Sequence, residues 1–98
     1  MYITITALDF YMGSETLSPG MIMMLKKDVN NEYDDEAIAV VSNKEIKYGY
    51  VANSVKTVAR GSHSAGYVYQ MVENGTKIEI MFVMENRAIA RILEEKEA

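Results

Sequence analysis

Acidic and amide side chains crowd into one stretch of the chain, Asp28-Val29-Asn30-Asn31-Glu32-Tyr33-Asp34-Asp35-Glu36. Oxygen-bearing side chains recur there at every second position (Asp28, Asn30, Glu32, Asp34, Glu36), a rhythm that suits a hard cation such as calcium. An EF-hand loop, however, needs Gly at its sixth place and a bidentate Glu at its twelfth. Tyr33 and Ala39 stand there instead, so no metal is expected. A plain solvated loop, with Asn and Asp bonding their own backbone, accounts for the amides and acids but not for a tyrosine in their midst. A tyrosine beside a carboxylate suits another kind of ligand. An aromatic face stacks on any nucleobase for about 1–3 kcal/mol without reading sequence. A carboxylate repels phosphate yet accepts a hydrogen bond from a hydroxyl, worth about 1.5–3 kcal/mol when charged. Asp34 beside aromatic side chains would therefore prefer a strand ending in a hydroxyl to one that continues. Two stacked bases and one such bond give about 4–8 kcal/mol before ordering costs, which means millimolar to micromolar affinity.

Catalytic chemistry has fewer candidates. The single histidine, His63, lies in Arg60-Gly61-Ser62-His63-Ser64-Ala65-Gly66 and reads as a loop residue. Ser64 has Gly66 two places after it but Ser62 two places before, so a nucleophile elbow is incomplete. The absence of Cys excludes disulfides, thiolate nucleophiles and cysteine-ligated zinc together. No phosphate-binding glycine motif, dinucleotide fingerprint or metal-spaced His pair occurs. The chain reads as a non-enzyme with no cofactor.

These groups must be carried on short strands. The 98 residues are 49% hydrophobic and 24% charged, which fits one globular domain over 1–98. Residues 2–8 alternate, with Ile3, Ile5 and Ala7 on one face and Thr4 and Thr6 on the other. Ser18-Pro19-Gly20 is a turn signal; 21–25 is apolar on both faces, with Met21, Met23 and Met24 as core filling, and 37–41 is nearly so. Residues 46–51 alternate again, placing Ile46, Tyr48 and Tyr50 together, with the tyrosines as candidate core. Asn74-Gly75 predicts a two-residue hairpin between strands at 67–72 and 76–84. Asn53 is expected to cap a short helix at 54–59, and Asn86 a C-terminal helix at 87–96 with the stripe Ile89, Ile92 and Leu93. Some six strands at short spacing suggest a small, closed or nearly closed barrel. An edge strand such as 76–84 offers pairing across a two-fold, so a homodimer is an option.

Ten basic against fourteen acidic residues give a net charge of −4, which disfavours duplex DNA binding by bulk charge. The cations available near a site are Lys56, on the expected 54–59 helix, and Arg60, four residues on at its end, with Lys26 and Lys27. No apolar run reaches about 18 residues and the N-terminus lacks a basic signal-peptide start, so a cytoplasmic protein is expected.

The pattern Asn31-x-Tyr33-Asp34-x-x-Ala37-Ile38-x-Val40, followed by Gly49-Tyr50-Val51, resembles the HIRAN domain family, as does a first strand ending in Phe10-Tyr11-x-Gly13. The resemblance covers roughly residues 3–55. It implies a mainly β fold, a six-stranded barrel related to OB and SH3-like folds with helices outside. Members occur fused to Swi/Snf-type remodelling ATPases and as stand-alone bacterial and phage proteins. In the fused case the domain captures a free 3′ end of single-stranded DNA and supports fork remodelling. By that resemblance Tyr33 and Asp34 approach the terminal nucleotide, Asp34 accepting from the 3′-hydroxyl, while Phe10 and Tyr11 flank the terminal base. Asp9 stands where DNA-end-binding members carry a basic residue, Ala52 and Asn53 where they are basic, and Tyr50 at a position that can hold a phosphate-contacting His. The expected nucleic-acid site is thus Phe10, Tyr11, Tyr33, Asp34, Tyr50, Asn53, Lys56 and Arg60, serving DNA repair or replication-fork processing. The rival expectation is an acidic protein-interaction module, a phage or mobile-element accessory protein that has lost DNA binding.

Overall fold

A computed structural model describes residues 1–93. Six antiparallel strands form: β1 Tyr2–Thr6, β2 Ile22–Lys27, β3 Ile38–Val41, β4 Lys47–Val51, β5 Lys77–Met84 and β6 Arg87–Ile92. They close into a ring in the order β1-β4-β3-β2-β5-β6. Period-two alternation decides most of them. Ile3 and Ile5, Met23 and Leu25, Ile78 and Ile80, and Ala88 and Ala90 all point inward and are buried. Each fully buried Ile or Leu contributes about 1.5–3 kcal/mol, so the ring interior is the main source of stability. All four residues of β3 are buried, as its two apolar faces suggest. β2 instead alternates: Ile22 is exposed, while Met23 and Leu25 are buried and Met21 packs on the core from its margin.

Two segments exchange their expected roles. Residues 67–72 are not a strand. The short helix α1 occupies Ala65–Val68, with the Ser64 side chain accepting from Tyr67 N. Ala65, Val68 and Val72 are buried and Tyr69 packs beside them, the i, i+3, i+4, i+7 spacing of a helical stripe. Asn74-Gly75 is a turn, but it joins this helical segment to β5 rather than closing a hairpin. Gly75 N donates to Leu25 O, and Asn74 Oδ1 accepts from Lys27 N at 2.7 Å. Residues 87–92 in turn form β6, not a helix, because β5 offers them a ladder from Met84↔Arg87 to Ile78↔Ile92. The remainder of the expected C-terminal helix, 94–96, lies outside the described residues. At 54–59 there is a single turn, Thr57 N and Val58 N both donating to Ser54 O, and no helix.

β5 pairs with β2 on one side and β6 on the other, so it is no free edge for two-fold pairing. The segment after β4 straps across the outside of β1. Thr4, the outward residue there, is fully buried because its Oγ1 meets Ser62 Oγ at 2.7 Å and accepts from Ala59 N at 3.0 Å.

β1 ends abruptly. Ala7 adopts φ 65°, Leu8–Phe10 makes one 3-10 turn, and Leu8 plugs the core. That turn leaves Phe10 and Tyr11 on the rim beside β4. The close approach needs Gly49, where a Cβ would stand 2.5 Å from Thr6 O and 3.2 Å from Leu8 Cδ2.

Candidate nucleic-acid interface

The loop 28–36 between β2 and β3 is braced from within. Asn31 Oδ1 accepts from Tyr33 N at 2.8 Å and Asp34 N at 3.0 Å, and Asn31 Nδ2 donates to Asp28 Oδ2 at 3.3 Å. Asn31 is therefore the residue that folds the loop, by the local side-chain bonding its amide favours. Its consequence is display: Tyr33 is 93% exposed at the loop's tip. Asp34 follows directly, its Oδ1 accepting from Glu36 N at 2.8 Å and its Oδ2 from Asn53 Nδ2 at 3.0 Å. One protein donor on each oxygen leaves each a further acceptor position.

On one flank of this loop lies an aromatic and charged network. The Tyr11 and Tyr50 rings sit 6.1 Å apart at 58°. Lys47 Nζ donates to the Tyr50 hydroxyl at 2.7 Å, and that hydroxyl donates to Asp28 Oδ2 at 2.7 Å. The Tyr50 hydrogen bond holds the Asp28 carboxyl below its usual range, with Asn31 and Lys47 adding to the effect. The same phenol keeps Lys47 protonated more firmly than usual. Tyr50 itself is raised, chiefly by burial, with the bond from Lys47 opposing that rise. Lys47 Nζ also lies 5.5 Å from the centre of the Tyr11 ring.

On the other flank is Asn53. It does not cap a helix; its Nδ2 reaches Asp34 and its Oδ1 accepts from Gly66 N at 2.8 Å, tying the loop to the start of α1. Of the expected site residues, then, Tyr11, Tyr50, Asp34 and Asn53 join one connected assembly, with Tyr33 on its loop. Phe10 lies beside Tyr11 in the chain and is 83% exposed. Arg60 stands beyond Asn53 on the wall of a separate groove that Lys56 does not line. The residue that sequence reasoning missed is Lys47. In a regular strand positions 47 and 50 face opposite sides. Here β4 pairs Val41↔Lys47 and then Val40↔Gly49, so an extra residue at Tyr48 turns Lys47 to the side of Tyr50.

Known proteins agree with this architecture. A protein from Lactobacillus plantarum superposes with a TM-score of 0.62 at 19% identity, covering 92% of this chain and 86% of the other. The HIRAN domain of human HLTF gives a TM-score of 0.62 at 16% identity, covering 94% of this chain and 73% of that one. No curated protein matches the sequence. The sequence pattern of the HIRAN domain matches residues 1–85. With its braced Asn31-x-Tyr33-Asp34 loop and its six-stranded ring, this chain belongs to the HIRAN domain family, known as nucleic-acid-binding modules rather than catalysts.

Proposed function

We propose that this domain binds the 3′ end of single-stranded DNA, weakly, as a module contributing end specificity to repair or replication-fork processing. In this reading Tyr33, Phe10 and Tyr11 provide faces for the last bases, and Asp34 accepts from the terminal hydroxyl. The observation that carries it is the juxtaposition, on a loop whose backbone Asn31 braces, of a 93%-exposed Tyr33 with an Asp34 carboxylate that accepts from Glu36 N and Asn53 Nδ2. Phosphate contacts are expected to be sparse here because Lys47, which reaches the loop at Asp28, already serves Tyr50 and Asp28. Affinity therefore rests on stacking and on one charge-assisted bond, and falls little with salt.

Fluorescence anisotropy of a labelled ten-nucleotide strand, ending in a 3′-hydroxyl or a 3′-phosphate, tests this. The hydroxyl end is expected to bind about tenfold tighter, the equivalent of 1.4 kcal/mol, with Asp34→Asn abolishing the difference. Equal affinity for the two ends, or no binding near millimolar protein, overturns the reading. The five carboxylates of 28–36 favour, as a second reading, a basic protein partner on the same loop; capture that survives nuclease treatment would mark that case.

A further inference from the structure

A groove lies apart from the aromatic flank. It holds about 500 Å³ and is walled by the segment from Asn53 to Ser64, with Tyr67 of α1. Its lining includes the His63 and Tyr67 rings, stacked on each other at 4.4 Å and 15°. The stack is fixed by backbone: His63 N donates to Tyr2 O at 2.8 Å, and Tyr67 N to Ser64 Oγ. Tyr67 remains 54% exposed and lines the groove, where a third planar group could meet the stack. Arg60 lines the same groove, is exposed, and forms no ion pair among the described residues.

We infer that this groove is a second nucleotide subsite, taking an internal nucleotide of the strand whose 3′ end occupies the Asp34 loop. The inference rests on that end-binding reading. Asn53 supplies the continuity, since its Nδ2 bonds Asp34 while the same side chain lines the groove. A strand leaving Asp34 along Asn53 meets an aromatic stack for a base and an unengaged guanidinium for a phosphate. The volume suits one nucleotide with its sugar, and Val55 and Val58 on the wall give apolar surface to the sugar. Guanidinium pairs readily with phosphate, in a fork geometry that ammonium lacks. The net acidity of the chain makes a cation without an acidic partner, such as Arg60 among the described residues, more consequential here than it would be in a basic domain.

The experiment compares a thymidine dinucleotide with a thymidine octanucleotide, both ending in a 3′-hydroxyl. His63 is the only histidine in the chain, so its ring proton signals in NMR report the groove without any substitution. The octanucleotide, not the dinucleotide, is expected to shift them. Arg60→Ala and Tyr67→Ala are each expected to weaken octanucleotide binding several-fold while leaving the dinucleotide unchanged. Arg60→Ala should also lower the salt slope by about 0.7, the value of one single-strand phosphate contact. Unmoved His63 signals, with Asp34→Asn still weakening both ligands, overturn the groove and leave end binding standing. Octanucleotide binding that survives Asp34→Asn but falls in Tyr67→Ala overturns end capture and supports the groove. An octanucleotide that binds nowhere near millimolar protein overturns both.

Discussion

The two flanks of Asp34 hold their cations in opposite ways. On the Tyr11–Tyr50 flank, Lys47 is spent internally: it donates to the Tyr50 hydroxyl and lies 4.0 Å from Asp28. On the Asn53 flank, Arg60 has no acidic partner among the described residues. Counting Lys and Arg along the chain puts both on the same footing. Geometry separates them, because a charge already paired in a half-buried network offers little to an incoming phosphate without breaking its own bonds. The aromatic flank thus presents rings around a paired cation, and the Asn53 flank an exposed guanidinium without an acidic partner among the described residues.

The change expected to disturb that contrast most is Gly49→Ala, since both flanks are hung from β4. Its Cβ meets the Thr6 carbonyl at 2.5 Å, backbone that cannot simply rotate away. Overpacking of this kind costs about 2–3 kcal/mol, read as a lower urea midpoint, and strand binding at both flanks falls with it. Asn53→Ala cuts the link between them. Gly66 N loses its acceptor and Asp34 one of its donors, for about 1–2 kcal/mol of stability. It should weaken the octanucleotide more than the dinucleotide. Tyr50→Phe erases the contrast by releasing Lys47 from the Tyr50 hydroxyl. It is expected to cost about 1 kcal/mol and to steepen the salt dependence of strand binding. It also changes the acid limb. Asp28 is held below its usual range mainly by the Tyr50 hydroxyl, so its contribution is present above that range and lost as pH falls below about 4. Denaturation midpoints across that window should fall less in Tyr50→Phe than in the parent.

The sequence is legible wherever local chemistry and tertiary structure agree. Asn31 folds its own loop, so Tyr33 and Asp34 are found by reading the motif. Ile3 and Ile5 alternate and are buried as alternation demands. Legibility fails where one stretch satisfies two periods. Residues 87–92 carry a helical stripe in Ile89 and Ile92, and an alternating one in Ala88, Ala90 and Ile92; the ladder offered by β5 and β1 selects the second. At 67–72 the hairpin signal of Asn74-Gly75 suggests a strand, yet the stripe Ala65, Val68 and Val72 is what the core accepts. Asn53 looks like a cap and is a cross-link, a role fixed by partners 13 and 19 residues away. Lys47 is reached only through a bulge, which no spacing rule contains.

The place of β6 in the ring bears on how the molecule comes into being. The last described strand lies between β5 and β1, the latter being the first made. While the chain is being synthesised, β1 has only β4 beside it until residues 87–92 have followed. The match to the family ends at residue 85, before β6 begins. A chain stopped there would leave β1 and β5 each with an unpaired edge, an invitation to pair with other chains. Closure is thus a late and long-range event, of the kind that slows folding, and the domain becomes safe from its neighbours only once its final strand is in place.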